Sequence, residues 1–522
     1  MRKSGIRVEV RGGVAHRRMW FVAAQLLGSL LATSLAAQEA RQLSLQEALE
    51  IAERNNPVYL RRANDQAAAD WQVREAYASF LPSAIASGSA AYTEAGVQRI
   101  GTLDFGAQST DWYSSSYSLS LNWTLDGRTL YALPSARANA RSVSAGIDAA
   151  RFNMQQLVTL QYMTALRARD AVRVALDQQE RAAQNLEIVR TRVAAGAAAG
   201  TEAIQAEVTL GRAEIALLNA ERDHRAERLR LMEQLGTGMD GDVELVSEFV
   251  IFEPPWSPAD LITDAMARHP SLRSFRATED AQGAQVKQAW SSYLPSLSLT
   301  TAFSGNALQA RNEDFIRNSV EGKYDSQLAS CQNFNAIDSA IPGGLPAYAP
   351  QDCSRYVYTP AIGDAALSQN QVFPFDFTKN PLTLQLRVSV PVFQGFSRQR
   401  QVEQAEAAAR DAAHDLRAEE LRLTTAITQA LDDVRSAHRS TEIEARNLEL
   451  ARQQLEQARQ RYAVGNTSIL DLQDAETSLS TAERDYLNAQ YGFHQALVVL
   501  EAATGRSLRP GGGLGEDDGA GG

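Results

Sequence analysis

Cysteine is nearly absent from these 522 residues: only Cys331 and Cys353 occur, and they never form a Cys-x-x-Cys pair. The six histidines are scattered without ligand spacing, so no metal site is expected. G-x-S-x-G and H-E-x-x-H are missing, and no carboxylate pair sits in a recognisable catalytic frame, so an enzyme is not expected. G-x-G-x-x-G is spelled once, by Gly236, Gly238 and Gly241, but it follows a helical stretch and opens none. A phosphate cradle needs the opposite order, and no cofactor is implied. After residue 37 there is no run of 18 apolar residues, which excludes a membrane-spanning helix. If such a chain meets a bilayer, it must do so by strands.

The start of the chain supplies a reason to ask. Residues 1–37 carry a basic region ending in Arg17 and Arg18, an apolar run at 19–35 and small residues at its end, the pattern of a secretory signal. No cysteine follows the cleavage position, so an acylated N-terminus is not indicated. Removing that segment, with six basic residues and one acidic, takes the net charge from −11 to about −16. An acidic chain of this kind disfavours nucleic acid as a partner. In an oxidising compartment Cys331 and Cys353, both in one proline-rich loop, read as a disulfide.

Glycine and proline are also missing from 397–464, where small and apolar residues recur three and four apart through Leu448, Ala451, Leu455, Ala458 and Tyr462. That is the rhythm of a long coiled-coil helix. Gly465 stops it, and the same rhythm restarts through Leu472, Ala475, Leu479, Ala482 and Tyr486. Residues 462–475 are therefore the tip of a helical hairpin. A second tip lies 269 residues earlier, with Gly196 and Ala206 placed as Gly465 and Ala475 are. The helix-breaking pairs Asn56-Pro57 and Leu81-Pro82 return 213 residues later as His269-Pro270 and Leu294-Pro295. The chain is a tandem repeat: signal 1–37, first repeat 38–238, linker 239–257, second repeat 258–505 and a disordered tail at 506–522. Ser44 with Glu47, and Ser257 with Pro258, mark helix starts in the two halves. The long helices of about 60 and 70 residues would each span roughly 90 to 100 Å.

Between the short and long helices the period falls to two. Tyr117, Leu119, Leu121, Trp123 and Leu125 alternate with polar residues, as do Leu382, Leu384, Leu386, Val388, Val390 and Val392. Weaker alternation runs through Leu297, Leu299 and Phe303, and from Ile85 to Tyr92. Two strand pairs are expected, within 84–125 and 296–392, of the nine to eleven residues per strand that cross a bilayer at a tilt. Tyr92, Trp112, Tyr113, Tyr117, Phe373, Phe375 and Phe377 crowd their outer ends like an interfacial girdle. An ordinary half-buried sheet has the same alternation. The second pair encloses 55 extra residues, expected as a polar loop over 304–380.

This order, and the stretches LSLQEALEIAERNNP at Leu43, LPS at Leu81 and Leu294, VSVPVFQGFSR at Val388 and YAVGNTSILDLQDAETSL at Tyr462, resemble the TolC-type outer-membrane efflux and secretion channels. The resemblance implies a mainly α chain with a membrane β-barrel portion, each of three copies giving four strands to one twelve-stranded barrel. It implies an exit duct embedded in outer-membrane lipid, serving an inner-membrane pump through a periplasmic adaptor (membrane fusion) protein. In such channels acidic rings close the periplasmic aperture, and Asp471 and Asp474 fall on the matching positions; equally, two Asp early in a helix complement its dipole. Tyr462, Thr201, Glu202 and Thr467 occupy the closing-contact positions, although Thr467 stands where some members carry Arg. Gly196, Gly465 and Val464 fall where the adaptor docks, and Gly is also the default helix C-cap. The rival reading is a secreted or periplasmic coiled-coil scaffold without a channel.

Overall fold

The computed structural model describes residues 41–509 apart from 101, 109, 239–242, 248 and 346–348. The expected signal at 1–37 lies outside the described residues. Strand β1 (Arg41–Leu43) leads into α1 (Leu45–Asn55), which starts where the Ser44 hydroxyl accepts the Glu47 N–H at 3.2 Å. Asn56 ends that helix and opens α2 (Pro57–Ala63) by accepting the Val58 and Tyr59 amides. Helix α3 (Asp65–Ala78) is followed by β2 (Ser83–Thr93), β3 (Gly96–Ile100), β4 (Leu103–Gln108) and β5 (Trp112–Leu125). Helices α4 (Gly127–Ala194) and α5 (Gly200–Leu235) complete the first repeat, and β6 (Val243–Leu245) lies in the linker. The second repeat holds α6 (Pro258–Arg268), α7 (Pro270–Trp290), β7 (Ser296–Ala310), α8 (Glu313–Ala340) and α9 (Pro360–Gln369). It ends with β8 (Thr378–Lys379), β9 (Thr383–Ser389), α10 (Ser397–Ala463) and α11 (Ile469–Thr504). Among the described residues no helix is long and apolar enough to cross a membrane.

The described parts of 1–64, 146–273 and 418–522 form one compact unit, entirely helical apart from β1 and β6. These two strands pair in parallel, Arg41 with Val243 and Leu43 with Leu245, a ladder that the sequence periods did not show. Beneath them Leu43, Val158, Tyr162, Leu166, Leu231, Leu235 and Leu245 are buried together, each burial stabilising by about 1.5–3 kcal/mol. The Tyr162 hydroxyl donates to the Leu43 carbonyl at 2.7 Å and lies 3.1 Å from Ser247 Oγ, which satisfies a polar group inside that core. A second core gathers Leu261, Ala265, Ile427, Leu431, Val434, Phe493 and Leu497. The linker is not loose: Phe252 meets Phe493 edge-on at 5.7 Å, and Trp256 packs beside it. Nor does the expected tail begin at 506. Leu508 is buried, its N–H and the Ser507 hydroxyl bond one oxygen of Glu501 at 2.9 and 3.1 Å, and Arg509 reaches the other at 3.3 Å.

Residues 65–145 and 274–417 form the other unit, built on an antiparallel sheet in the order β2-β5-β7-β9, with β8 also on β7. Its register pairs Leu119 with Ala86 and Phe303, and Leu299 with Trp123 and Leu386. One face thus collects Tyr117, Leu119, Leu121, Trp123, Leu297, Leu299, Leu384, Leu386 and Val388. The other collects Ser87, Ser89, Ser116, Ser118, Asn122, Ser298 and Gln385, with Ser87 and Ser118 hydroxyls 2.7 Å apart and Ser89 and Ser116 2.8 Å apart. Ile85 pairs with Ser120 and so sits on the hydroxyl face, against the alternation expected there. Every residue of β2 and β9 is exposed, and Leu384 is 70% and Val388 66% exposed.

Two expectations for this unit need correction. Strand β9 stops at Ser389 instead of Val392, because Pro391 has no N–H for a ladder. The stretch 304–380 is not a polar loop: β7 continues to Ala310, and α8 starts where Asn312 accepts the Asp314 and Phe315 amides at 2.9 and 3.3 Å. Acidic Glu313 and Asp314 in its first turn favour the helix dipole. Cys331, on α8, is bonded to Cys353, with Cα atoms 5.8 Å apart. Of the aromatic residues expected at the strand ends, Tyr113 and Tyr117 meet rings on the apolar face that come from a loop, while Trp112 lies on the other face against Phe315. Tyr113 lies 5.4 Å from Phe373 and Tyr117 4.9 Å from Phe377, while Ser115 donates to the Pro374 carbonyl at 2.7 Å.

Candidate functional site: the paired hairpin tips

The two tips lie within the helical unit, and the sequence dictates their shape. In each, the long helix ends in a glycine with positive φ, +71° at Gly196 and +77° at Gly465, where a side chain would be strained. Around them the same two bonds recur, Gly196 N–H to Val193 and Ala197 N–H to Arg192, Gly465 N–H to Tyr462 and Asn466 N–H to Arg461. This reverses the chain within a few residues and leaves Val464 79% exposed at the outermost turn. Behind the turns, Leu186, Val189, Ala206, Leu448, Ala451, Leu455, Ile469, Leu472, Ala475 and Leu479 form a buried seam between the hairpins. The three-and-four spacing of these residues in the sequence is what brings them onto facing stripes.

The polar groups at the seam's end divide into two sets. Tyr462 is buried, and its hydroxyl donates to Glu202 Oε2 at 2.8 Å, joining second tip to first. Burial and then the Glu202 carboxylate push the phenol up to about 12, so it stays a donor at any physiological pH. Glu202 Oε1 accepts the Ala199 N–H at 3.3 Å at the start of its own helix. Its counterpart 269 residues on is Asp471, which caps α11 in the same way. The Asp471 carboxylate accepts the Ser468 hydroxyl at 3.0 Å, the Ser468 N–H at 3.2 Å and the Thr467 hydroxyl. Those bonds, with Thr467 first, hold it below the ordinary carboxylate range.

Thr467 therefore turns onto its own helix instead of crossing to the other tip, as a closing contact would. Its short side chain finds an acceptor four residues away. Thr201 is exposed at the start of α5, outside this bonded set, and Asp474 is exposed one turn beyond Asp471.

Sequence reasoning missed the residues that hold the centre. Arg192, in the last turn of α4, places its guanidinium 4.2 Å from the Tyr462 ring centre and donates to the Tyr462 carbonyl, and to that of Ala197 at 3.3 Å. One side chain thus ties both turns. A basic residue in a last helical turn is so common that nothing marked it.

Deeper, a cavity of about 10 Å³ is lined by Ala182, Asn185, Ala206, Thr209, Gln473 and Glu476, with Ile469 and Leu472. Both side-chain polar atoms of Asn185, and Oε1 of Glu476, are buried there without a hydrogen-bond partner among the described residues. Burial drives the Glu476 carboxyl up to about 7, against the pull of Arg459 and Arg181. Arg181 is itself engaged by Glu483, at 2.5 and 3.2 Å. Glu476 lies four residues after Leu472 and three before Leu479, a spacing that places it beside the seam and was legible.

Comparison with known proteins addresses the chain as a whole. Residues 46–237 and 363–506 match the outer membrane efflux protein family. Fusaric acid resistance protein FusA of Burkholderia cepacia is 26% identical over 211 residues, 40% of this chain and 40% of that protein's length. Protein CyaE of Bordetella pertussis is 24% identical over 397 residues, 74% of this chain and 70% of its own. Among solved structures, the open state of the MtrE outer membrane channel of Neisseria gonorrhoeae superposes with a TM-score of 0.63 at 17% identity, covering 89% of each chain. That likeness shows the fold, and the match over more than half of the sequence shows the lineage: this chain belongs to the outer membrane efflux protein family.

Proposed function

We propose that the chain is one subunit of a homotrimeric channel in the outer membrane of a Gram-negative cell. It is the passive exit duct of an efflux pump or type I secretion system. The observation that carries this reading is the sheet, with one apolar face, one hydroxyl face and exposed strands at both edges. In lipid an unpaired edge leaves backbone groups without partners, so strands of other copies must close it. The apolar face then meets lipid and the hydroxyl face lines a lumen. In the helical unit, the tips would be the gate. The bonds of Tyr462 and Arg192 favour the closed arrangement, Asp471 and Asp474 would ring the aperture, and an adaptor engaging Gly196, Val464 and Gly465 would open it for the inner-membrane pump.

The mass of the particle extracted by detergent from the outer-membrane fraction tests the assembly. A particle of three chain masses that falls to one on heating is expected. A monomer, or a chain found only in the soluble periplasm, would overturn the channel and favour a scaffold.

A further inference from the structure

The four long strands contain a single charged residue. Strands β2, β5 and β7 have no Asp, Glu, Lys or Arg at all, and β9 has only Arg387. The register decides where that charge lies. Arg387 pairs with Ser298, which pairs with Thr124, so the guanidinium belongs to the hydroxyl face. Its neighbours there, Ser389 and Gln385 along β9 and Ser296 and Thr300 along β7, are neutral. The residue is exposed, and no hydrogen bond or ion pair engages it among the described residues. On the opposite face an arginine at bilayer depth would be heavily penalised; on this one it remains hydrated.

We propose that Arg387 sets the ionic preference of the barrel lumen. With one copy per subunit, it would form a cationic ring in an otherwise uncharged, hydroxyl-lined wall, favouring anionic solutes at that level. A fixed positive ring raises the local concentration of anions and lowers that of cations, and it acts most strongly where no other charge offsets it. The proposal rests on the shared-barrel reading above. It assigns the strand region a preference opposite in sign to that of the acidic tip.

Reversal potentials of the purified channel in planar bilayers, under a KCl gradient, test it. Arg387→Gln is expected to raise the potassium-to-chloride permeability ratio by about twofold or more, and Arg387→Glu further, while Arg387→Lys keeps the original ratio. Heat-sensitive trimers of each variant on gels show that folding is intact. Conducting Arg387→Gln channels with an unchanged ratio would overturn the role of Arg387 and leave the channel standing. An unaltered protein that extracts as a monomer would overturn the channel reading, and this proposal with it.

Discussion

Replacing Glu476 by glutamine should free the tips from a pH dependence that the buried carboxyl imposes. In the docked tips its pKa is raised from 4.5 to about 7, chiefly by burial. The protonated form is therefore the one the seam accommodates. Below pH about 4.5 the contribution is fully present; it declines as the pH rises, and above about 7 it is gone. A shift of that size corresponds to about 3 kcal/mol of docking free energy, or a few hundredfold in the opening equilibrium. Amide hydrogen exchange of the α11 start, corrected for intrinsic rates, reads this directly. In the unaltered protein, protection at 469–482 should fall by one to two orders of magnitude between pH 5 and 8, on the basis of that shift. In Glu476→Gln, neutral throughout and able to bond Asn185, the profile should be flat. An equal slope in the variant would refute the assignment and place the titration elsewhere.

Tyr462→Phe removes one donor to Glu202; a hydrogen bond to a charged group is worth about 1.5–3 kcal/mol, so tip opening should rise tenfold or more, seen as longer open dwell times in single-channel records. Unchanged dwell times would mean that Arg192 alone holds the tips. Gly465→Trp should leave trimers in the membrane yet abolish export; continued export would remove this turn from the docking surface. Cys353→Ser should destabilise the α8–α9 insertion by about 2–4 kcal/mol and expose it to limited proteolysis, with trimers and conductance retained.

Much of this was written in periodicity. The heptad spacing located the tip seam, and the alternation at Tyr117 to Leu125 and Leu384 to Val388 located the sheet, because a buried face repeats regularly enough to be counted. The repeat offset even pairs Glu202 with Asp471, two carboxylates at the same helical position. What escaped was non-periodic. A three-residue strand such as β1 has no period to detect, and α8 was hidden by the proline-rich stretch after it, although Asn312 with Glu313 and Asp314 is a helix-start signal. Arg192 acts through where its long side chain lands, on a ring 270 residues away, which no local pattern encodes.

The parallel ladder between Arg41–Leu43 and Val243–Leu245 carries a consequence for biogenesis. Its two halves are separated by the whole first repeat, so Arg41–Leu43 has no partner strand until some two hundred later residues have been synthesised. Contacts of such sequence separation form late, since loop closure must precede them. The α1 helix packs on the same core and shares that delay. This segment is therefore made early and fastened late, and a chain arrested before the linker would leave Leu43, Ala48, Leu49 and Ala52 without the partners that bury them.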